Sequence, residues 1–177
     1  MKELFTFIRN RIIIQIRKRG AAVSFETEQQ MAEFIQTCKE FVKIDHDYAQ
    51  AQGLSDTSFY ILYALARHGS AYSQRTLCSD WSLPPQTVNS ALKKMESQGF
   101  IELHLRSGSR KNKEICLTPG GRELMKQAVE PFMEAKQNSF SKISPENRGI
   151  MLSALHQYLA LLKEEMGRSR RQDTEKK

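Results

Sequence analysis

Apolar residues recur at helical spacing along the first half of the chain. Over residues 27–51 they follow one another at intervals near 3.5 residues, which predicts an amphipathic helix ending at Gly53. A second helix begins near Ser55 and runs to about His68. Its stretch FYILYALA is apolar on nearly every side, as is usual for a buried helix.

The middle of the chain alternates between short helical patterns and breaks. Residues 73–81 predict a short helix, and Leu83-Pro84-Pro85 interrupts it. Pro85 suits the first position of the following helix, Gln86 to about Gln98, because its missing N–H would be unpaired there. Alternating apolar residues on both sides of a polar segment then predict a β-hairpin between residues 100 and 118.

Two further helices are predicted in the last third of the chain. One begins at Thr118-Pro119 and continues to about Phe140, and the other begins at Ser144-Pro145-Glu146. The segment from Arg168 onward, RSRRQDTEKK, is expected to be a charged, disordered tail.

A short helix, a tight turn and a longer helix in this order predict a helix-turn-helix, whose second helix enters the major groove of DNA. Leu77, Trp81, Val88 and Leu92 are expected to hold the two helices at a fixed angle. The exposed side of the second helix then carries amide, hydroxyl and lysine side chains, which can bond base edges or phosphates. Any solvated helix face is polar, so the helix-turn-helix alone is a moderate signal.

The tip of the hairpin supports DNA binding further, because several basic residues lie close together there. No acidic residue occurs between residues 104 and 113, while this stretch holds two arginines and two lysines. Like charges repel one another, and a phosphate backbone or an A·T-rich minor groove would compensate for the repulsion. The alternative is an ordinary solvated loop.

Charge and cysteine content narrow the function classes. The chain of 177 residues has a formal net charge of +7, which favours a polyanionic partner, with nucleic acid ahead of an acidic membrane surface. Its three cysteines form no CxxC pair, which argues against a disulfide framework or a zinc site and fits a reducing cytoplasm. No apolar run of about 18 residues predicts a membrane span.

The stretch from about Phe34 to Leu162 resembles the MarR family of bacterial regulators. The residues that carry the resemblance are Gly53-Leu54-Ser55, SQRTLCSDWSLPPQTVNSALKKMESQGFIEL and SRKNKEICLTPGGRELM. The resemblance implies a mainly α fold with a small β-hairpin wing, that is, a winged helix-turn-helix with long N- and C-terminal dimerisation helices. It also implies a homodimer on a near-palindromic operator in double-stranded DNA, regulated by a small-molecule effector.

Two departures from the family pattern affect the expected DNA contacts. Where the family's wing has Asp-x-Arg, this chain has Ser109-Arg110-Lys111, so the acid that braces the wing arginine is absent. Pro84 replaces the usual capping serine of the recognition helix. The residues expected to contact DNA are Arg75, Gln86, Thr87, Asn89, Ser90, Lys93, Lys94, Arg106, Arg110, Lys111 and Lys113.

Other candidate sites are weaker. Tyr48, Phe59 and Tyr63 are candidates for an effector pocket between the dimer-forming helices and the DNA lobe, and core packing is the alternative. Asp45-His46-Asp47 resembles a metal cluster, but consecutive helical residues point in different directions and cannot converge on one ion. Cys38 is expected to pack in the core, and no metal or cofactor is predicted.

The sequence thus predicts a cytoplasmic transcription regulator, a repressor in the preferred interpretation, and not an enzyme, since no nucleophile–base pair or phosphate loop is evident. A winged-helix module that binds protein without reading DNA is the alternative. The expected divisions are a basic amphipathic extension (1–26), the first dimerisation helix (27–55), the winged lobe (56–118), the C-terminal dimerisation helices (119–166) and the tail (167–177).

The N-terminal extension has three open explanations. Phe5, Ile8, Ile12 and Ile16 form one apolar face, and basic residues surround it. Extra dimer packing, contact with a membrane or DNA, and a natural start at Met31 remain alternatives. An extension that DNA binding does not require is the preferred interpretation.

Overall fold

The computed structural model describes residues 24–68, 72–105 and 113–174. In chain order its elements are α1 (Phe25–Ala51), α2 (Asp56–His68), β1 (Tyr72–Ser73), α3 (Gln74–Asp80), α4 (Pro85–Ser97), β2 (Ile101–Leu105), β3 (Lys113–Leu117), α5 (Pro119–Ala128), α6 (Glu130–Ser141) and α7 (Pro145–Thr174). This is the mainly helical winged helix-turn-helix that the sequence predicts, and the fold class is confirmed.

Local capping interactions set the limits of several helices. Ser24, Ser73 and Thr118 each accept a hydrogen bond from the backbone N–H three residues ahead, at the starts of α1, α3 and α5. Gly99 has a φ of +73°, a conformation that glycine adopts without strain, and it follows the C-cap of α4. The chain therefore turns sharply from α4 into β2.

The winged lobe surrounds one hydrophobic core. Buried apolar side chains from α2, α3, α4 and the sheet meet there, and α5 and the start of α6 close it on one side. The largest fully buried side chains are Phe59, Ile61, Leu62, Leu77, Val88, Leu92, Met95, Ile101, Ile115 and Val129. The core thus fixes the helix-turn-helix to the hairpin.

The sheet has one strand more than the sequence analysis predicts. β1 pairs with β3, which also pairs with β2, so the order is β1-β3-β2 and all pairs are antiparallel. Tyr72 lies opposite Ile115. A two-residue strand has no alternating pattern long enough to be recognised, and its partner lies far along the chain.

The long helix predicted from Thr118 to Phe140 is wrong as a single element. The structure divides it into α5 and α6 at Val129, where φ is −105° and ψ is −43°. Pro131 lies in the first turn of α6. A proline has no N–H to donate and its ring collides with the carbonyl four residues earlier, so it breaks a continuous helix.

The predicted disordered tail is also wrong for residues 168–174, which continue α7. Arg168 forms ion pairs with Glu164 at 2.6 Å and Glu165 at 3.0 Å, one helical turn earlier. Such pairs at spacings of three and four residues support helical structure in a polar sequence. Arg168, the first residue of the predicted tail, is thus tied to the preceding turn of α7.

The two long helices are mostly exposed. Ala49 is the one buried residue of α1, and no side chain of α7 between residues 145 and 169 is buried. The Phe34 ring meets the Tyr158 ring edge-on, with centroids 5.4 Å apart, so α1 and α7 touch near their middles. None of the described helices is long and apolar enough to cross a membrane.

Candidate nucleic-acid interface

The turn between α3 and α4 is fixed by backbone hydrogen bonds. The Trp81 N–H donates to the Leu77 carbonyl at 3.1 Å, and the Leu83 N–H donates to the Cys78 carbonyl at 3.2 Å. Between them Ser82 has a φ of +50°, an uncommon conformation for a residue with a side chain. The turn therefore has one tightly defined path into α4.

The start of α4 has no side-chain cap. Pro84 occupies the N-cap position and makes no capping hydrogen bond, while its carbonyl accepts the Val88 N–H at 3.1 Å. Pro85 is the first helical residue. The position of Pro84 agrees with the departure noted in the sequence, and the first helical N–H groups lack the acceptor that a serine would provide.

The two sides of α4 differ sharply in burial. Val88, Ala91, Leu92 and Met95 are buried in the lobe. The opposite side is exposed and carries every residue of this helix that the sequence analysis assigned to DNA: Gln86, Thr87, Asn89, Ser90, Lys93 and Lys94. Arg75 on α3 is exposed as well. The helix thus offers a polar and basic surface that the core holds in place.

The wing is partly described. Lys113 begins β3, lies opposite Leu105 in the ladder and is exposed. Arg106, Arg110 and Lys111 lie outside the described residues. Closer to the lobe, the exposed carboxylate of Glu102 lies 2.8 Å from the His104 ring, so acidic side chains occur at the base of the hairpin.

A hydrogen bond that the sequence analysis missed joins the sheet to the helix-turn-helix. The buried Tyr72 of β1 donates its hydroxyl proton to Asp80 at the end of α3. Burial and this carboxylate raise the pKa of Tyr72 to about 12, so the hydroxyl is protonated at neutral pH. The His68 ring stacks on Tyr72 with centroids 5.1 Å apart. No local sequence pattern indicates the Tyr72–Asp80 hydrogen bond, because the two residues belong to different elements.

The three residues predicted to line an effector pocket lie together at the junction of α1, α2 and α6. The ring of Phe132 lies 4.6 Å from Tyr48, 5.2 Å from Phe59 and 6.4 Å from Tyr63 between centroids. Phe59 is fully buried, and the two tyrosines are half-buried. They form a packed aromatic cluster, and an effector role for them remains a prediction.

The Asp45-His46-Asp47 sequence does not converge on one point. Asp45 contacts Tyr60 and Lys136, His46 contacts Asp56, and Asp47 pairs with Lys43. Among the described residues, no group of three or more His, Cys, Asp or Glu side chains is placed to hold a metal ion.

Core packing of Cys38 is wrong for the single chain. Its side chain is exposed on α1, in an open apolar groove with Phe34, Ile35 and Val42. The apolar spacing that suggested a core residue is real, but none of the residues that the structure describes covers this side of α1.

Comparisons with known proteins agree with this geometry. A family model described as the MarR family matches residues 52–111, which span α2, the helix-turn-helix and most of the wing. The chain is similar to an uncharacterized HTH-type transcriptional regulator, YwhA, of Bacillus subtilis (strain 168). They are 26% identical over 96 residues, which is 54% of this chain and 68% of that protein.

Solved structures of the same fold cover a larger part of the chain. NMB1585, a MarR family regulator from Neisseria meningitidis, has a TM-score of 0.65 and 23% identity, covering 82% of this chain and 99% of that one. The structure of an S. aureus MepR–DNA complex has a TM-score of 0.60 and 20% identity, covering 74% of this chain and 96% of that one. These matches extend over the long helices as well as the lobe.

The match to the family model, the related regulator and the shared fold agree with one another and with the exposed polar side of α4. MarR family members are transcription regulators and not enzymes, and the comparisons support the same class for this chain. The family model matches residues 52–111, and the described residues share the winged helix-turn-helix fold of solved MarR family regulators, so the comparisons support a DNA-binding transcription regulator of the MarR type.

Proposed function

We propose that two copies of this chain bind a near-palindromic operator and repress transcription from it. In this proposal each α4 enters the major groove, and each wing follows the neighbouring backbone or minor groove. The observation that carries the proposal is the division of α4 into a buried apolar side and an exposed side of amide, hydroxyl and lysine groups. Such side chains discriminate base pairs by their hydrogen-bonding pattern in the major groove.

The exposed apolar residues of the long helices support a homodimer. On α7, the apolar side chains along one side of the helix are 37% to 53% exposed in the single chain: Met151, Leu152, Leu155, Leu159, Leu162 and Met166. A contiguous apolar surface of this kind marks an interface, and a two-fold dimer is the commonest way to bury it. A two-fold axis presents two α4 helices to half-sites about one helical turn apart.

The S. aureus MepR structure supports the DNA-binding part of the proposal, because a protein of this fold was solved with DNA bound. In this proposal, repression would result from occupation of the DNA by the dimer. A dimer that occupies two half-sites with its recognition helices and wings covers enough DNA to exclude other proteins from the same stretch. We therefore expect the operator to overlap a promoter.

Release by a small molecule is the remaining part of the proposal. The aromatic cluster of Tyr48, Phe59 and Tyr63 lies where α1 meets the lobe, so a ligand inserted there would change the angle between them. Compounds that raise the melting temperature of the protein should then weaken its binding to DNA. Substituting Tyr48 by Leu should reduce both effects, and a compound that stabilises the protein without releasing DNA would contradict this part.

The central test is selection of binding sites from a pool of random duplexes, followed by measurement of affinity. We expect the wild-type protein to recover a near-palindrome, and transcription in vitro from a promoter that contains it should fall when the protein is added. Recovery of no common sequence would overturn specific DNA binding. Increased transcription would overturn repression alone.

Asn89 provides a residue-level test of base reading. Asn89→Ala should weaken binding to the selected duplex by about 1–3 kcal/mol and leave binding to random duplexes nearly unchanged, because a base-edge contact carries the sequence information. Gln98→Ala is a matched control, since it removes another exposed amide at the far end of the same helix. An equal loss on both kinds of duplex would show that Asn89 contacts the DNA backbone.

A further inference from the structure

A polar cluster joins the long helices to the winged lobe. Asp45 of α1 accepts a hydrogen bond from the Tyr60 hydroxyl of α2 at 3.1 Å. The same carboxylate receives the Lys136 ammonium of α6, at 2.8 Å from one oxygen and 2.9 Å from the other. One side chain of α1 is thus bonded to both neighbouring helices.

The Asp45 carboxylate at the centre of this cluster is better shielded from water than the carboxylates of the other ion pairs that the structure describes, while the Lys136 side chain is 44% exposed. The Asp45 side chain is 15% exposed, whereas the carboxylates paired with Lys43 and Arg168 are each more than half exposed. Shielding strengthens charge-assisted hydrogen bonds and limits their screening by salt. Burial and the nearby Asp45 raise the pKa of Tyr60 to about 12, so its hydroxyl is a proton donor at neutral pH.

The cluster continues directly to the helix-turn-helix. The Tyr60 ring lies 5.5 Å from the Trp81 ring, with 35° between their planes. Trp81 caps the end of α3, and the turn to α4 begins with the next residue. Two side chains, Tyr60 and Trp81, therefore connect Asp45 of the exposed helix α1 to the turn before the recognition helix.

We propose that Asp45, Tyr60 and Lys136 are positioning residues that set the separation of the two recognition helices in the DNA-bound dimer. The inference rests on the proposed dimeric, DNA-binding function. The aromatic cluster beside these residues holds the helices together through apolar packing, which is non-directional. Hydrogen bonds depend on distance and angle, so the polar cluster restricts the orientation that the packing leaves open.

Tyr60→Phe is the appropriate variant, because it removes one hydroxyl and leaves the ring to pack against Trp81. The probe is the near-palindromic duplex selected by the wild-type protein, compared with versions in which the spacer between half-sites is one base pair longer or shorter. For the wild type, altered spacing should cost roughly tenfold or more in affinity, since half-site spacing reflects the dimer geometry. For Tyr60→Phe we expect this discrimination to fall by roughly threefold or more.

Matched controls separate positioning from stability. Tyr158→Phe removes a hydroxyl from the long helices, where its recorded contact is the Met31 sulfur at 3.8 Å, and it should keep the wild-type discrimination. Lys136→Met provides a second test from α6, with Lys142→Met as its exposed control. Dimer mass and melting temperature are measured for every variant.

A discrimination ratio equal to that of the wild type in both Tyr60→Phe and Lys136→Met overturns the inference, even if both variants bind all duplexes less tightly. A reduced ratio with unchanged dimer mass supports it. Failure of the wild-type protein to select any palindrome would overturn the proposed function, and the inference with it. The first of these results leaves the proposed function intact, so the two failures are distinguishable.

Discussion

The winged lobe and the two long helices differ in how far their apolar side chains are buried. In the lobe, the apolar sides of α2, α3, α4 and the sheet face one another, and their largest side chains are fully buried. On the long helices, Phe41 and Val42 of α1 are 65% and 66% exposed, and Leu159 and Met166 of α7 are 47% and 53% exposed. The core of the lobe is buried within one chain, whereas the long helices carry an apolar surface that the described residues of one chain do not cover.

This difference assigns separate tasks to the two regions. A closed core holds the recognition helix rigidly against the wing, which base reading requires. An uncovered apolar surface gains roughly 25 cal/mol for each Å² that a second copy buries, so the long helices are suited to association. Changes in the lobe should therefore act on folding and DNA contact, and changes in the long helices on assembly.

The largest expected effect comes from placing charge on the apolar side of α7. Leu155→Asp combined with Leu159→Asp should convert the dimer to a monomer at micromolar concentration, because unpaired carboxylates resist burial. Light scattering should report half the wild-type mass. Affinity for the selected operator should fall by roughly 100-fold or more, since the two half-sites are no longer bound together.

Gln157→Asp is the control for this double variant, because it adds a carboxylate to the opposite side of α7. It should keep the wild-type mass. A dimeric Leu155→Asp/Leu159→Asp protein would contradict the assignment of assembly to this surface. A large loss of helical circular dichroism in the double variant would show that the winged lobe does not fold independently of the long helices.

The next effect concerns the closed core of the lobe, at Gly121 in the first turn of α5. A Cβ atom added there would lie 1.8 Å from the carbonyl oxygen of Phe100, which is backbone and cannot easily move. Gly121→Ala should lower the free energy of unfolding by about 1–3 kcal/mol or more, as overpacking does in other cores. Urea unfolding measures the change.

The neighbouring glycine offers a matched control. At Gly120 an added Cβ meets the Thr118 hydroxyl oxygen at 3.7 Å and the Gly99 carbonyl oxygen at 3.8 Å, both ordinary contacts. Gly120→Ala should leave stability unchanged or raise it by up to about 1 kcal/mol, because alanine favours helices. Equal destabilisation by both substitutions would show that the close approach to the Phe100 carbonyl is not the cause of the loss at Gly121.

A smaller effect is expected at the wing. Arg110→Ala combined with Lys111→Ala should weaken binding to all duplexes and reduce the slope of log affinity against log salt by up to about 2, because up to two fewer phosphates are neutralised. Lys142→Ala with Lys163→Ala removes the same charge from the end of α6 and from α7, and it should change the slope little. An unchanged slope in the wing variant would exclude the wing as a DNA contact.

The sequence predicted those features that depend on short-range periodicity. The buried and exposed sides of α4 follow from apolar residues spaced along one helix, and the hairpin follows from alternation on both sides of a polar segment. The structure places Gln86, Asn89 and Lys93 on the exposed side, as predicted. Each of these inferences required information from fewer than about twenty consecutive residues, which is the range in which such patterns are strongest.

Side-chain contacts between different helices and strands were not predicted, whether their residues are near or far apart in the sequence. The Tyr72–Asp80 and Asp45–Tyr60–Lys136 contacts depend on how helices and strands pack, and no local pattern marks them. Cys38 is a second case in which a local pattern was not sufficient. Its apolar spacing indicates a face to be covered, but spacing alone does not say whether the cover comes from the same chain.

The smallest effect is expected at the N-terminus, and it tests to which region residues 1–26 belong. The structure places the cap of α1 at Ser24, whose hydroxyl oxygen accepts the Thr27 N–H at 3.2 Å. A chain that begins at Ser24 keeps this cap and all of α1, so it should retain the dimer mass, the melting temperature and the operator affinity. A chain that begins at Met31 loses the cap and the first six residues of α1, and its melting temperature should fall while operator binding persists.

Loss of dimerisation on removal of residues 1–23 would instead assign them to the surface shared by the long helices. Weaker binding to all duplexes at an unchanged dimer mass would indicate that their basic residues contact DNA, because such a loss is independent of sequence.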